Sequence, residues 1–254
     1  MIIGGLEKFS LIDFPGHLSA VVFTQGCNFR CQFCYNPMLV LPKKRGELNN
    51  ISASQDEDEN QSDRSLDFAN TEIKESDLFA FLQERVGKLD GVVVSGGEPT
   101  LHTDLPDFLV RIKALGFAVK LDTNGTNPKM VRELFDSKLI DYIAMDIKGP
   151  LDKYDLVTGV NNDLRAIEES ILLIRYSDLP YEFRSTLVPG LHNESDIRKM
   201  GTMISGAKKW YLQNFKSDTE LVNNNFKDSR SFTDAEMEKF LVSAMEYVSE
   251  CGIR

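Results

Sequence analysis

Three of the four cysteines of this chain lie within a stretch of eight residues, and their spacing could hold a metal centre. Cys27, Cys31 and Cys34 form the pattern C-x3-C-x2-C, which places three thiols on one short loop after a predicted strand. Three thiolates can ligate three corners of a cubic iron–sulfur cluster and leave the fourth iron open for chemistry. A structural zinc site would need a fourth ligand close by. No histidine stands at a suitable spacing and Cys251 is distant in the sequence, so zinc with a distant fourth ligand is the alternative.

Polar residues follow three predicted strands, at points where they could bind a ligand beside the cysteine loop. The sequence Ser-Gly-Gly-Glu-Pro at 95–99 ends one strand, and its two glycines allow the backbone to approach a ligand closely. Asp122 and Thr123 end the next strand, and Asp146 and Lys148 end the one after it. Because the carboxyl ends of successive barrel strands meet at one face, we expect these side chains to share a site.

Three further polar residues occur in or after the later strands. Arg184 lies inside an apolar strand, where a charge is costly unless it is paired. It either faces a carboxylate in the cavity or forms a structural ion pair with Asp146 or Glu182. His192 follows the same strand; a cavity residue is the alternative, but a lone loop histidine is more often solvated, and we expect that here. Gln213, near the end of the sixth strand, is predicted as a polar contact only.

Short β-branched runs that alternate with helical patterns must position these residues, and the alternation indicates βα units with a parallel sheet. The predicted strands are 20–24, 91–95, 117–122, 142–147, 182–188 and 209–213. The predicted helices are 76–88, 103–115, 128–138, 164–176, 194–205 and 233–250. Thr233 and Glu236 predict a capping box for the last helix. The pattern predicts an α/β fold, a partial (β/α)6 TIM-like barrel, with an open doubly wound sheet as the alternative.

The net charge of −10 is concentrated in one segment. Residues 47–75 contain nine acidic and two basic side chains, which account for −7 of the total. Within this segment, 49–71 is polar and without periodicity, so we expect an acidic, mobile insertion in a single domain that spans 1–254. The remaining sequence has no cluster of Lys and Arg, which argues against a nucleic-acid partner.

The apolar residues do not form long uninterrupted runs. No window reaches the length of a membrane span, and the first nine residues do not resemble a signal peptide. The clustered cysteines are poorly spaced for disulfides. We therefore expect a protein of the reducing cytoplasm without a membrane partner.

The cysteine motif, with Phe33 directly before the last cysteine, resembles that of the radical S-adenosylmethionine (SAM) superfamily. The resemblance implies the barrel of that superfamily, a 4Fe–4S cluster on the three cysteines, and SAM chelated by the iron that the protein leaves open. One electron from the cluster would cleave SAM to methionine and a 5′-deoxyadenosyl radical. No catalytic side chain beyond these cofactors is predicted, and a monovalent cation near SAM is also implied. The residues that would place SAM, with Arg184 as a further candidate, are Phe33, Gly96, Gly97, Glu98, Asp122, Thr123, Asp146 and Lys148.

Within this superfamily, the N-terminal segment resembles the anaerobic ribonucleoside-triphosphate reductase activating proteins. The segments that carry the likeness are 3–16, 20–27 and Cys34-Tyr35-Asn36-Pro37, and it spans about residues 2–48 and 73–215. It implies a glycyl radical enzyme as partner, an anaerobic ribonucleotide reductase, and an electron donor such as flavodoxin or ferredoxin. The acidic insertion departs from the family pattern, and Tyr35 stands where activases usually carry His.

Two other functions remain open on the sequence. One is a radical SAM enzyme that acts on a small molecule, such as a deazapurine-forming synthase, and the other is a non-catalytic metal-binding module. A closed polar pocket would favour the small molecule, whereas an open barrel side wide enough for a loop would favour a protein substrate. We also expect the cysteine loop to lie outside the core, segment 4–16 to lie beside the first strand, and Cys251 to be remote from the strand ends.

Overall fold

In the part of the chain that the structure describes, eight strands form one sheet whose order follows the sequence. In this computed structural model, the described residues are 1–40, 73–217, 221–223, 226 and 229–254, and the insertion expected at 49–71 lies outside them. The strands are β1 (Ile3–Ser10), β2 (Ser19–Thr24), β3 (Gly91–Gly96), β4 (Ala118–Thr123), β5 (Tyr142–Asp146), β6 (Tyr181–Leu187), β7 (Ala207–Asn214) and β8 (Val248–Ile253).

Helices connect the parallel strands. In chain order they are α1 (Pro37–Val40), α2 (Glu75–Arg85), α3 (Leu105–Ala114), α4 (Pro128–Asp136), α5 (Tyr154–Thr158), α6 (Leu164–Arg175), α7 (Glu194–Met203) and α8 (Asp234–Met245). The predicted capping box of α8 is present, because the Thr233 side chain accepts from the Glu236 backbone and the Glu236 side chain accepts from Thr233.

The strand order confirms the partial barrel and excludes the doubly wound alternative. Strands β2 to β8 pair in parallel with their neighbours in sequence, without the reversal of order that a doubly wound sheet requires. Strand β1 pairs antiparallel with β2, with Ile3 opposite Thr24, so the N-terminal segment lies beside the first predicted strand as expected. Among the described strands, β1 and β8 are the two sheet edges, and the barrel stays open between them.

The prediction of one helix over 233–250 is wrong at its C-terminal end. Helix α8 ends at Met245, and Val248–Ile253 forms β8 instead. The periodicity of 233–250 fits a helix, but the edge of β7 offers backbone hydrogen bonds that an extended chain can satisfy. Tertiary pairing therefore overrides the local pattern here.

The two faces of the sheet pack against separate groups of side chains. Residues such as Val92, Val94 and Val119 belong to the large apolar core that includes the helices. On the opposite face, Phe14 and Tyr142 pack with Val21 and Val93 in a small separate cluster. Because side chains alternate along a strand, the residues between the core positions point into the barrel, where the polar side chains are found.

No helix in the described part of the chain combines the length and the hydrophobicity that crossing a bilayer requires.

Candidate functional site

The structure brings all twelve predicted site residues to one cavity. It has a volume of about 530 Å³ and lies at the carboxyl ends of the strands. Gln213, predicted as a polar contact, also lines it, whereas Cys251 does not. The predicted residues around the cavity are Cys27, Phe33, Cys31, Cys34, Gly96, Gly97, Glu98, Asp122, Thr123, Asp146, Lys148 and Arg184.

The cysteine loop is part of the core, so the expectation that it lies outside is wrong. Phe29 and Phe33 are buried, and Cys31 packs with them against the main apolar cluster. The loop has no regular secondary structure after β2, and these apolar side chains anchor it in its place. A loop anchored in this way presents its thiols to the cavity from a fixed position.

The cysteine loop is also tied to a late part of the chain. The backbone N–H of Val222 donates to the carbonyl of Cys34 at 3.3 Å, and that of Asn223 donates to the carbonyl of Gln32 at 3.0 Å. The Asn223 side-chain amide donates to Gln32 Oε1 at 2.8 Å. Tyr35, at the position where activases usually carry His, accepts from the backbone N–H of Lys216 at 2.7 Å.

Burial disfavours the thiolate form of all three cysteines. Burial raises the pKa of Cys27 to about 11 and that of Cys31 to about 12, and it also raises the pKa of Cys34. The positive charge of Lys148 opposes this effect at all three thiols. Metal binding must therefore displace protons from these cysteines.

The donor set fits a multi-iron cluster better than a single ion. No three His, Cys, Asp or Glu side chains of the described residues converge on a point where one metal ion could bind. Around a single zinc, thiolate sulfurs lie within roughly 4 Å of one another, given a Zn–S bond of about 2.3 Å. Thiolates that ligate different irons of a cube need not converge in this way.

The Gly-Gly-Glu turn packs directly on the backbone that leads into the cysteine loop. The N–H of Gly97 donates to the carbonyl of Thr24 at 2.9 Å, and the N–H of Glu98 donates to the carbonyl of Gly26 at 2.8 Å. A Cβ at Gly97 would stand 2.0 Å from the Gly26 oxygen, so only glycine allows this approach. The turn and the cysteine loop are thereby held in one fixed arrangement.

The carboxylate of Glu98 connects this turn to the end of β4. Glu98 is 1% exposed, and it accepts from the hydroxyl of Thr123 at 2.7 Å and from the N–H of Asn124 at 2.6 Å. It also accepts from the backbone and the hydroxyl of Thr100. Burial raises the pKa of Glu98 although these donors oppose it. All four donors are neutral. The Glu98 side chain therefore links the Gly-Gly-Glu turn to the end of β4 through hydrogen bonds and not through an ion pair.

A chain of alternating charges crosses the cavity floor. Arg184 donates from Nη1 to Asp122 at 3.1 Å and from Nε to Asp146 at 3.0 Å, and Lys148 donates to the other oxygen of Asp146 at 3.0 Å. Both alternatives for Arg184 are therefore realised, since it faces the cavity and pairs with Asp146. The other ion-pair partner considered, Glu182, pairs with Arg254 instead.

The electrostatics keep this network charged. Burial alone would raise the pKa of Asp146, but the charges of Arg184 and Lys148 outweigh it and lower that pKa to about 2. Burial likewise opposes ionisation of Asp122, whose pKa is nevertheless lowered by the charges of Arg184 and Lys120. The cavity therefore presents fixed ammonium, guanidinium and carboxylate groups to a ligand at neutral pH.

A second ion pair lies deeper in the barrel. Glu182 is fully buried and accepts two hydrogen bonds from the guanidinium of Arg254, at 2.9 and 3.0 Å. The hydroxyl of Tyr142 donates to the same carboxylate at 3.0 Å. Arg254 follows β8 and also lines the cavity. This contact fastens the last strand to the barrel interior.

The prediction that His192 is solvated is wrong. His192 is 4% exposed, and its Nδ1 accepts from the backbone N–H of Val188 at 3.0 Å. Its Nε2 therefore carries the proton and donates to the carbonyl of Lys148 at 2.8 Å. Burial lowers the pKa of His192. Through this hydrogen bond the imidazole fixes the backbone position of Lys148.

Sequence reasoning missed Arg254 and Asn124 in the cavity lining, and Lys120, which pairs with Asp122 beneath it. The period-two pattern of a strand could have found Lys120, because it places residue 120 on the same face as Asp122. No such signal existed for Arg254, since β8 was not predicted.

Comparisons with known proteins show what this sequence is similar to. The sequence profile of the Radical SAM superfamily matches residues 21–202. A protein of Methanocaldococcus jannaschii, assigned as a glycyl-radical enzyme activating enzyme, is 32% identical over 262 residues, which cover 100% of this chain and 95% of that protein. The pyruvate formate-lyase-activating enzyme of Streptococcus mutans is 30% identical over 223 residues, covering 82% of this chain and 73% of that enzyme.

Solved structures share the fold at lower identity. Streptococcus suis SuiB bound to S-adenosylmethionine superposes with a TM-score of 0.60 at 14% identity, covering 91% of this chain and 49% of SuiB. A domain of a pyruvate-formate lyase-activating enzyme from Bacteroides vulgatus superposes with a TM-score of 0.52 at 21% identity, covering 65% of this chain and 98% of that domain.

Proposed function

Because this chain belongs to the radical SAM superfamily, and within it to the type of the glycyl-radical enzyme activating enzymes, we propose that it installs a glycyl radical on a partner protein. The partner in this proposal is an anaerobic ribonucleoside-triphosphate reductase. The observation that carries it is the convergence of the three cysteines, the Gly-Gly-Glu turn and the charged network on one cavity. When bound, a 4Fe–4S cluster supplies the electron that cleaves SAM to methionine and a 5′-deoxyadenosyl radical.

Cys27, Cys31 and Cys34 hold the cluster in this proposal. Each thiol must lose its proton to become a ligand, and the nearby charge of Lys148 favours the thiolate form. Burial of the loop limits the access of water to the sulfurs. The N–H of Phe29 donates to Cys27 Sγ at 3.4 Å, and such a contact stabilises negative charge on a thiolate.

The remaining residues bind and orient SAM. The backbone of Gly96 and Gly97 can approach the amino group closely, and Phe33 supplies an apolar wall beside the last cysteine. Glu98 holds the turn in place through Thr123 and Asn124 rather than through an ion pair within the chain.

The charged network completes the SAM site in this proposal. Lys148 and Arg184 present positive charge to the SAM carboxylate. Asp122 and Asp146 hold these two basic groups and offer oxygens towards the ammonium and the ribose hydroxyls.

The open barrel side supports a protein substrate. An extended glycine-containing segment could enter between β1 and β8, which are the sheet edges among the described strands. A hydrogen atom can be abstracted only near contact, at roughly 3–3.5 Å from the 5′-carbon, so the target glycine must reach the cavity itself. The electron donor in this proposal is a flavodoxin or a ferredoxin.

The test combines the reconstituted protein, SAM, a chemical reductant and the candidate reductase without oxygen. We expect an electron paramagnetic resonance doublet of a glycyl radical, which is absent when the partner's C-terminal glycine is replaced by Ala. The Cys31→Ala variant serves as the control that lacks the cluster. Efficient SAM turnover with a small metabolite, and no protein radical on any glycyl radical enzyme from the same cell, would contradict the proposal and favour the small-molecule alternative.

A second experiment tests the SAM site alone. Asp146→Asn and Lys148→Ala each remove a charge-assisted contact, which corresponds to roughly ten- to a hundredfold in affinity. We expect this loss in equilibrium dialysis with labelled SAM, with an unchanged iron content. Unchanged affinity in both variants would contradict the assigned roles.

A further inference from the structure

A buried lysine lies beneath the predicted SAM site and has no role in the function proposed above. Lys120 is 1% exposed and stands on β4, two residues before Asp122. Its Nζ donates to Asp122 Oδ1 at 2.8 Å and lies 5.9 Å from the centre of the Tyr142 ring. Burying an ammonium group is costly unless it is paired, and the ion pair with Asp122 explains why a charged lysine can be buried here.

The two aspartates of the cavity floor have no carboxylate oxygen without a basic partner. Asp122 accepts from Lys120 on one oxygen and from Arg184 on the other. Asp146 accepts from Arg184 on one oxygen and from Lys148 on the other. Ser95 adds a neutral hydroxyl to Asp122 at 3.2 Å.

This arrangement disagrees with the monovalent cation that the sequence resemblance implies. Alkali cations are bound by oxygen ligands, and the side-chain oxygens offered here would be those of Asp122, Thr123 and Asp146. A cation on the two aspartates would share each carboxylate oxygen with a basic donor, and the positive charges of Lys120, Arg184 and Lys148 would repel it. The charges support the same conclusion, because the two aspartates are balanced by Arg184 and Lys148, and Lys120 adds the single positive charge that a cation would bring.

We propose that the ammonium group of Lys120 replaces the monovalent cation, so that this protein binds SAM independently of Na⁺ and K⁺. The inference rests on the proposed function, since it concerns the same SAM site. Lys120 does not line the cavity in which SAM and the cluster would bind. It acts through Asp122 and is therefore a positioning residue.

Isothermal titration calorimetry of SAM binding to the reconstituted, unreduced wild-type protein tests whether its SAM affinity depends on Na⁺ or K⁺. Titrations in sodium, potassium and tetramethylammonium chloride are compared at one ionic strength of about 0.1 M, so that screening is constant. We expect the same SAM affinity in all three salts. A clear gain in affinity from Na⁺ or K⁺ would overturn the inference. Absence of SAM binding in every salt would instead contradict the proposed function, so the two failures are distinguishable.

The Lys120→Met variant tests the lysine itself, because Met keeps most of the apolar stem and removes the charge. We expect its SAM affinity in tetramethylammonium chloride to fall by about tenfold and to be restored by Na⁺ or K⁺. Wild-type affinity in that salt, or a loss that neither cation restores, would overturn the inference. Lys120→Gln replaces this variant if circular dichroism shows that Met prevents folding.

Lys113→Met is the matched control for the loss of a lysine. Lys113 pairs with Asp141 at 2.7 Å, is about one-third exposed, and lies outside the cavity. We expect this variant to bind SAM like the wild type in all three salts. A salt response of the same size in Lys113→Met would show that the effect is not specific to Lys120, and it would overturn the inference.

Discussion

Replacing Gly97 by Ala is the most direct test of the contact between the Gly-Gly-Glu turn and the cysteine loop. A Cβ at this position would lie 2.0 Å from the carbonyl oxygen of Gly26 and 3.2 Å from the backbone nitrogen of Cys27. Ordinary van der Waals contact begins at 3.4 Å, so the turn and the loop must separate by about 1.4 Å. The atoms concerned belong to the backbone, and no rotation of a side chain can relieve the overlap.

The separation also breaks the hydrogen bonds that hold the turn. The bond from the Glu98 N–H to the Gly26 carbonyl measures 2.8 Å, and 1.4 Å of added distance would take it far beyond hydrogen-bonding range. A misplacement of about 1 Å in a reacting site can reduce a rate by roughly a hundredfold. We therefore expect Gly97→Ala to lower the rate of SAM cleavage by about that factor, measured as 5′-deoxyadenosine formed under reducing, anaerobic conditions.

A second glycine separates the clash from general strain. Gly116 has a φ of 91° and no atom within 4 Å of an added Cβ. Ala at this position costs about 1–2 kcal/mol of backbone strain without an overlap. We expect Gly116→Ala to cleave SAM normally. Wild-type cleavage by Gly97→Ala, or an equal loss in Gly116→Ala, would refute the reasoning.

Three further predictions follow from the site and the barrel interior. Cys31→Ala should lose cluster iron and SAM cleavage while Cys251→Ala keeps both, and a full iron content in Cys31→Ala would contradict the cluster assignment. The lowered pKa of Asp146, about 2, contributes stability that is present above its unfolded-state value of about 4 and is lost as the pH falls towards 2. Asp146→Asn should therefore lose less stability than the wild type over that range in acid unfolding, and equal slopes would count against the ion pairs. Arg254→Met leaves the buried carboxylate of Glu182 without its guanidinium partner and should lower the free energy of unfolding by about 3 kcal/mol in urea, whereas a loss below about 1 kcal/mol would disprove the anchoring role.

The parts of the site that the sequence predicts are those fixed by local spacing and by strand order. Cys27, Cys31 and Cys34 need only a short loop, and Asp122 and Asp146 need only the rule that parallel strands end at one face. These constraints act on neighbouring residues or on whole strands. They are therefore visible without knowledge of the packing.

The remaining features depend on contacts between distant residues. His192 is in a loop by sequence, but its ring fits between Val188 and Lys148 and becomes buried. Arg254 reaches Glu182 only because β8 extends the sheet beyond β7, and a helical pattern in the sequence conceals that strand. Such positions follow from tertiary packing, which overrides the local preference.

The hydrogen bonds between the cysteine loop and Asn223 have a consequence for biosynthesis. Gln32, within the loop, meets its partner 191 residues later in the chain. During translation the three cysteines leave the ribosome well before Val222 and Asn223 are added. The loop can complete these hydrogen bonds only after residue 223 has left the ribosome. We therefore expect stable insertion of iron to follow the synthesis of Asn223.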